Sequence, residues 1–174
     1  MLRGATLADR DAMERVMKAS AAELGAAFYD ARQNAGFVTY VAVVDPQLVQ
    51  DGTYFAVEED GELAACGGWS KRDKLFTGNE AAAGGARLLV PGQDPARVRA
   101  MFVGPRFARR GLGRRILEAC EAAARAAGFT EVELMATLPG VPLYEVAGYA
   151  RVAPFDVALP DGSLLPCVRM RKAL

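Results

Sequence analysis

The feature that most constrains the fold of this chain is an arginine- and glycine-rich turn at residues 109–115, Arg-Arg-Gly-Leu-Gly-Arg-Arg. An apolar run at residues 100–103 predicts a strand before it, and a long amphipathic segment predicts a helix after it. Glycines at such a turn let the main chain approach a ligand closely and point unpaired N–H groups at it. Because a helix N-terminus also carries partial positive charge, the turn predicts a phosphate-binding site.

Positive charge is concentrated around this turn. Seven arginines and no acidic residue lie between residues 97 and 115, whereas the whole chain has 21 basic and 21 acidic side chains. A general nucleic-acid or membrane-surface binder would carry excess cations over a whole face. The arginines therefore predict a local binding site for a polyanion, and we expect neither a nucleic-acid nor a membrane partner.

Length and composition predict one globular domain over residues 1–174, with 52% hydrophobic and 24% charged residues. The chain contains no apolar run of about 18 residues, and its N-terminus does not resemble a secretion signal. These features predict a cytoplasmic protein.

The absence of histidine limits the chemistry that the chain can support. It excludes histidine-based catalytic triads, histidine-ligated zinc and imidazole acid–base catalysis. The cysteines Cys66, Cys120 and Cys167 have neither the spacing of a disulfide framework nor that of a metal site. We therefore expect no metal, and proton transfer must use carboxylates, Tyr, Lys, Cys or water.

The hydrophobic periodicity predicts the order strand, two helices, hairpin, strand, helix, strand, helix, hairpin. Thr6 and Asp9 are placed as a capping box before the first helix, and Gly36 is expected to end the second helix. Asp-Gly pairs at residues 60–61 and 161–162 predict the two hairpin turns. Residues 70–91 have no regular pattern and predict a long functional loop. This order is typical of an α/β domain with a mixed sheet.

Two familiar phosphate-binding motifs do not fit the turn. The dinucleotide motif Gly-x-Gly-x-x-Gly fails because Ile116 stands at the third glycine. The P-loop fails because the chain has no Gly-Lys-Ser/Thr sequence. The alternative that needs no ligand is a surface turn with solvated arginines.

The turn instead resembles the acyl-CoA pyrophosphate loop of the GNAT acetyltransferases, the GCN5-related N-acetyltransferase family. The motif of that family is Gln/Arg-x-x-Gly-x-Gly/Ala. Gly111 and Gly113 match its glycines, and Ala108 stands at the Gln/Arg position.

A second segment, residues 137–149, is similar to another motif of this family, Asn-x-x-Ala-x-x-x-Tyr-x-x-x-Gly-Phe/Tyr. Tyr144, Gly148 and Tyr149 match it, whereas Thr137 replaces Asn and Gly140 replaces Ala. The two motifs lie about 30 residues apart on the expected elements.

The resemblance implies one GNAT domain over residues 1–174. Its sheet would be mixed and mostly antiparallel, with six to seven strands, about four flanking helices, and a splay between the fourth and fifth strands. The acetyl donor would be acetyl-CoA, with no metal. By position in the motifs, the cofactor-binding residues would be Met101, Phe102, Val103, Arg109, Arg110, Gly111, Leu112, Gly113, Arg114 and Thr137.

The resemblance also implies N-acetyl transfer to a primary amine by direct attack. Tyr144 would be the catalytic residue, because a phenol near the sulfur can protonate the departing thiolate. The base that takes the proton of the amine stays open among Glu58, Glu62, Asp73 and a chain of water molecules.

The implied partners are a small-molecule or peptide amine and a second copy of the chain, since an exposed C-terminal hairpin often supports dimers in this family. Phe28, Tyr29 and Trp69 are the expected substrate-binding residues. Two other functions stay open. One is a non-catalytic acyl-CoA sensor, and the other is an RNA- or phosphate-binding domain that uses the arginines electrostatically.

Overall fold

A seven-stranded sheet with the order β1-β2-β3-β4-β5-β7-β6 organises the computed structural model, which describes residues 1–76 and 87–174. The strands are β1 (Leu2–Gly4), β2 (Tyr54–Glu59), β3 (Glu62–Ser70), β4 (Ala96–Val103), β5 (Glu131–Thr137), β6 (Ala150–Ala158) and β7 (Leu164–Ala173). The α-helices of the described residues are α1 (Arg10–Gly25), α2 (Ala31–Gly36), α3 (Pro46–Gln50), α4 (Leu112–Ala126) and α5 (Val141–Val146).

The central pair β4–β5 is parallel, and every other neighbouring pair of strands is antiparallel. It is also the shortest pairing of the long strands, because only Ala96 with Val132 and Arg97 with Glu133 are in register. Beyond Arg97 the two strands separate. The predicted mixed sheet with a splay between its fourth and fifth strands is thereby confirmed.

A bulge in β4 lies where the separation begins. Ala100 has a left-handed φ of 54°, and the register with β3 shifts between Cys66 and Gly68. Gly67 faces this bulge, and a Cβ on Gly67 would lie 2.2 Å from Met101 Sδ and 2.8 Å from Ile116 Cγ2. The glycine therefore gives β4 and α4 the room that the bulge requires.

Helices cover both faces of the sheet. On one face, α4 and α5 pack in a cluster that includes Ile116, Leu134 and Tyr144. On the other face, α1 and the segment after α2 pack in a cluster that includes Met17 and Phe102. The sheet thus has a hydrophobic core on each side.

The predicted capping box at the start of the first helical segment is confirmed, since Thr6 N–H donates to Asp9 Oδ2 at 2.8 Å. Helix α2 ends at Gly36 as predicted, but not through a left-handed turn. Gly36 has a right-handed φ of −64°, and a wide π-helical turn, Phe37–Val41, continues from it. Gly36 serves packing instead, because a Cβ there would lie 2.5 Å from Leu159 Cδ1.

The long predicted loop, residues 70–91, is described only in part, because residues 77–86 lie outside the described ranges. Strand β3 extends to Ser70, and Arg72 and Leu88 form an isolated antiparallel bridge. Of the helices in the described ranges, none combines the length and apolarity that a membrane span requires.

Candidate functional site

Two cavities meet where β4 separates from β5. The first, called the sheet cavity, has a volume of about 60 Å³ and is lined mainly by strand residues that include Arg99, Met135, Leu165 and Cys167. The second, called the helix cavity, has a volume of about 130 Å³ and is lined by parts of α1, α4 and α5. The two cavities share four of their lining residues: Met101, Phe102, Thr137 and Tyr144.

Tyr144 stands at this junction on α5. Its side chain is buried, and its ring packs edge-on against Tyr149 with centroids 5.7 Å apart. Its hydroxyl makes no hydrogen bond to any described residue. Burial, with a smaller contribution from Cys120, raises the pKa of Tyr144 above its ordinary value, so the phenol is protonated at neutral pH.

Gly140 explains how the ring of Tyr144 reaches this position. A Cβ on Gly140 would lie 3.1 Å from the Tyr144 ring and 3.7 Å from Thr137 Oγ1. The replacement of the family's alanine by glycine therefore lets the ring pack closely over the turn that precedes α5.

The arginine- and glycine-rich turn lies at the start of α4. Gly111 and Arg109 are left-handed, with φ of 80° and 65°, and the Arg115 N–H donates to the Gly111 carbonyl at 3.0 Å. The main-chain N–H groups of residues 109–114 make no hydrogen bond within the described ranges. Several unpaired main-chain N–H groups in one turn form an anion-binding site suited to a phosphate.

Gly113 joins this turn to the helix cavity, which it lines. A Cβ on Gly113 would lie 3.1 Å from Leu143 Cδ2 and 3.4 Å from Val103 Cγ2. Gly113 therefore lets the first turn of α4 approach β4 and α5 closely, and the anion-binding site opens beside the helix cavity.

The seven arginines that the sequence places together are divided by the fold. Arg109, Arg110 and Arg114 are exposed at the turn, whereas Arg97 and Arg99 are buried on β4. Strand alternation points the last two toward the face covered by α1. The prediction that all seven arginines form one polyanion-binding site is therefore wrong for Arg97 and Arg99.

The β4 arginines take part in buried ion pairs. Arg97 contacts Glu133 at 3.2 Å and Asp73 at 2.8 Å. Arg99 contacts Asp45 at 2.8 Å, and Lys74 lies 3.2 Å from the same carboxylate.

Asp45 is held ionised by these cations. Burial alone would raise its pKa, but the charge and hydrogen bond of Arg99, the Gln47 N–H and the charge of Lys74 outweigh burial and lower it below the ordinary value. Asp45 also caps α3, because its Oδ1 accepts the Gln47 N–H at 3.0 Å. This carboxylate therefore fixes Arg99 at the edge of the sheet cavity.

The three expected substrate-binding residues line neither cavity. Phe28 is half-exposed after α1. Tyr29 is buried, and its hydroxyl donates to the Pro166 carbonyl at 2.8 Å and accepts the Leu138 N–H at 2.9 Å. Trp69 packs edge-on against Phe129 at 6.0 Å on the other face of the sheet. In this arrangement Tyr29 ties β7 to the turn before α5.

The three carboxylates considered as bases are each paired with an arginine. Glu58 contacts Arg3 at 2.6 Å and Glu62 contacts Arg106 at 3.3 Å. Asp73 is the partner of Arg97 described above. No carboxylate of the described residues lines either cavity.

Sequence reasoning missed most of the sheet cavity. Its walls come from the π-helical turn, the segment after β3 and the C-terminal hairpin, with side chains that include Val41, Phe76, Val157 and Leu165. These residues are far apart in the chain and look like ordinary core positions. The only signal was Arg99, a cation in the interior of an apolar strand.

Comparison with known proteins agrees with this architecture. The acetyltransferase (GNAT) family matches residues 14–149. A GCN5-related N-acetyltransferase from Rhodopseudomonas palustris is similar over 100% of this chain and 95% of its own, with 18% identity and a TM-score of 0.76. A search of curated proteins finds no significant match.

Two further solved structures contain the cofactor. The PaiA N-acetyltransferase of Thermoplasma acidophilum, in complex with coenzyme A, has 12% identity and a TM-score of 0.68, covering 100% of this chain and 98% of its own. YncA of Salmonella typhimurium, with acetyl-CoA, has 17% identity and a TM-score of 0.64, covering 100% and 93%. The family match extends over most of the chain, from α1 through Tyr149, and so this chain belongs to the acetyltransferase (GNAT) family.

Proposed function

We propose that this protein transfers the acetyl group of acetyl-CoA to a primary amine of a small molecule or peptide. The observation that carries the proposal is the position of Tyr144, whose hydroxyl is protonated and without a hydrogen-bond partner in the described residues. It lies where the sheet cavity and the helix cavity meet. A proton donor at the junction of two cavities is what transfer between two substrates requires.

The helix cavity and the turn fit acetyl-CoA, which supplies the acetyl group as a reactive thioester. The unpaired N–H groups of residues 109–114, with the exposed Arg109 and Arg110, would hold its pyrophosphate. Met101, Phe102 and Val103 line the helix cavity and would bind the pantetheine arm, together with Thr137. The coenzyme present in PaiA and YncA supports this assignment.

The sheet cavity would hold the amine. The amine nitrogen forms the new C–N bond, the C–S bond breaks, and the sulfur takes a proton from Tyr144. The surplus proton of the amine leaves to water, and Tyr144 regains a proton from water, which restores the phenol. Main-chain N–H groups of β4 would polarise the carbonyl. Burial raises the pKa of the Cys167 thiol to about 12, which makes it a poor nucleophile and favours direct attack.

The substitution Tyr144→Phe tests the proposal. It should lower kcat by about a hundredfold or more while leaving acetyl-CoA affinity within about threefold, because only the proton donor is lost. Thiol release measures turnover and calorimetry measures binding. Tyr149→Phe is the control, since this tyrosine is also buried and packs against Tyr144 but lines neither cavity.

The other outcomes have defined meanings. Binding of acetyl-CoA by the wild-type protein without turnover on any amine would favour the sensor alternative. Absence of binding in calorimetry would reject the whole proposal. The predicted homodimer and cytoplasmic location belong to the same proposal.

A further inference from the structure

Arg169 lies beside the sheet cavity and has no ionic partner among the described residues. It faces the same side of β7 as Cys167, two positions earlier, and it pairs across the sheet with Met135. Both of these neighbours line the cavity. The Nε atom of Arg169 is fully buried without a hydrogen bond, so this cation has lost part of its hydration without compensation.

The other arginines of this face are already engaged. Arg97 and Arg171 both contact Glu133, and Arg99 contacts Asp45. Glu131 lies on the same side of β5 as Glu133, and its charge also acts on Arg171. Arg169 is therefore the arginine of β4 and β7 on this face to which the described residues supply no carboxylate partner.

The remaining lining of the sheet cavity is mainly apolar. Val41, Phe76 and Leu165 contribute to its walls, and Phe76 packs near Phe155 of β6 with ring centroids 6.4 Å apart. An acceptor that fits here has an apolar body. A cation beside the cavity requires a negative group on that acceptor if the charge is to be compensated.

We propose that the acceptor is an apolar amine that also carries a carboxylate, and that Arg169 binds this carboxylate. The inference rests on the proposed function, because it names the class of acceptor for the same site.

The experiment compares acceptors with and without a carboxylate. Leucine, leucinamide and isoamylamine share one apolar body, and 6-aminohexanoate places the carboxylate further from the amine. Thiol release gives kcat/KM for each acceptor with wild-type protein, Arg169→Gln and Arg169→Lys. The control is Arg125→Gln, which removes an exposed arginine of α4, on the opposite face of the sheet.

The wild-type protein should prefer leucine or 6-aminohexanoate over leucinamide and isoamylamine, which lack the carboxylate. Which of the two acids is favoured reports the distance between the amine and the carboxylate of the acceptor. Arg169→Gln should lower kcat/KM for that acid by about ten- to a hundredfold, the usual loss for a hydrogen bond to a charged group. The uncharged analogues should change by less than about threefold. Arg169→Lys should recover part of the loss, and Arg125→Gln should resemble wild type.

A binding measurement separates the two proposals. Calorimetry of leucine and 6-aminohexanoate against the CoA-loaded protein should show affinity that depends on Arg169. Such binding without turnover on any amine would reject the proposed function and keep the carboxylate site. Equal or better turnover of leucinamide or isoamylamine, unaffected by Arg169→Gln, would overturn the inference and keep the function.

Discussion

Asp45 and Arg99 form the most buried ion pair of the described residues, with side chains 5% and 2% exposed. Both charges have lost most of their hydration, and their contact compensates for this only while both are present. The pair therefore adds little net stability as a whole. Its effect is to fix a cation at the wall of the sheet cavity.

At the residue scale we predict that Asp45→Asn destabilises the fold by about 3 kcal/mol at pH 7, because it removes one charge of a buried ion pair. Urea unfolding measures the change. Glu118→Gln, which breaks the exposed Arg114–Glu118 pair on α4, is the control and should cost less than about 0.5 kcal/mol.

The stability that the Asp45–Arg99 pair contributes depends on pH. Because the pKa of Asp45 is lowered in the folded state, its contribution is present above the pKa of the unfolded chain, about 4, and is lost as the pH falls through the folded value. The difference in stability between wild type and Asp45→Asn should therefore shrink from pH 7 toward pH 3. A constant difference over this range would contradict the assignment.

At the scale of elements, the bulge of β4 sets the orientation of the strand residues that line the candidate site. It turns Met101 toward the face covered by α4 and α5, whereas Phe102 packs in the core on the face covered by α1. The bulge fits only because Gly67 of β3 has no side chain. The opening between β4 and β5 is thus built by three strands together.

We predict that Gly67→Ala destabilises the protein by about 1–3 kcal/mol and weakens acetyl-CoA binding. The added Cβ would displace Met101 and press on Ile116, which is fully buried in α4. Thermal unfolding and calorimetry measure the two effects. Gly4→Ala on β1 is the matched control, since a Cβ there has no neighbour within 4 Å, and it should be close to neutral.

At the scale of the whole molecule, the sheet ends in β1 on one side and β6 on the other. Most of β6 is exposed, and Val152 and Phe155 remain 45% and 43% accessible. An exposed edge strand with apolar side chains is a surface that tends to pair with another chain. This supports the homodimer that the sequence predicts.

We predict a dimer in light scattering at micromolar concentration, and its dissociation by Val152→Lys, because a charge on the edge strand opposes pairing. Leu7→Lys is the control. Leu7 is 58% exposed and follows β1 at the opposite edge of the sheet, so its substitution should leave the mass unchanged. A wild-type monomer would reject the homodimer.

Much of this protein could be predicted from local sequence. The capping box of Thr6 and Asp9 and the Asp-Gly hairpin turns depend on neighbouring residues, and the structure confirms them. The strand–turn–helix around Gly111 was predictable for the same reason. The packing role of Gly36 was not predictable locally, because its contact residue Leu159 lies more than 100 residues away.

The sequence by itself therefore determined the order of the strands and longer helices, the family and the turn at residues 109–115, since each depends on short-range patterns. The short helix α3 was not predicted. Only the tertiary structure decided which side chains line the sheet cavity and which arginines are paired. It buried Arg97 and Arg99 in ion pairs, left Arg169 unpaired in the described residues, and gave Tyr29 a structural contact. The physical reason is that burial and charge compensation depend on partners brought from distant segments, which no local pattern records.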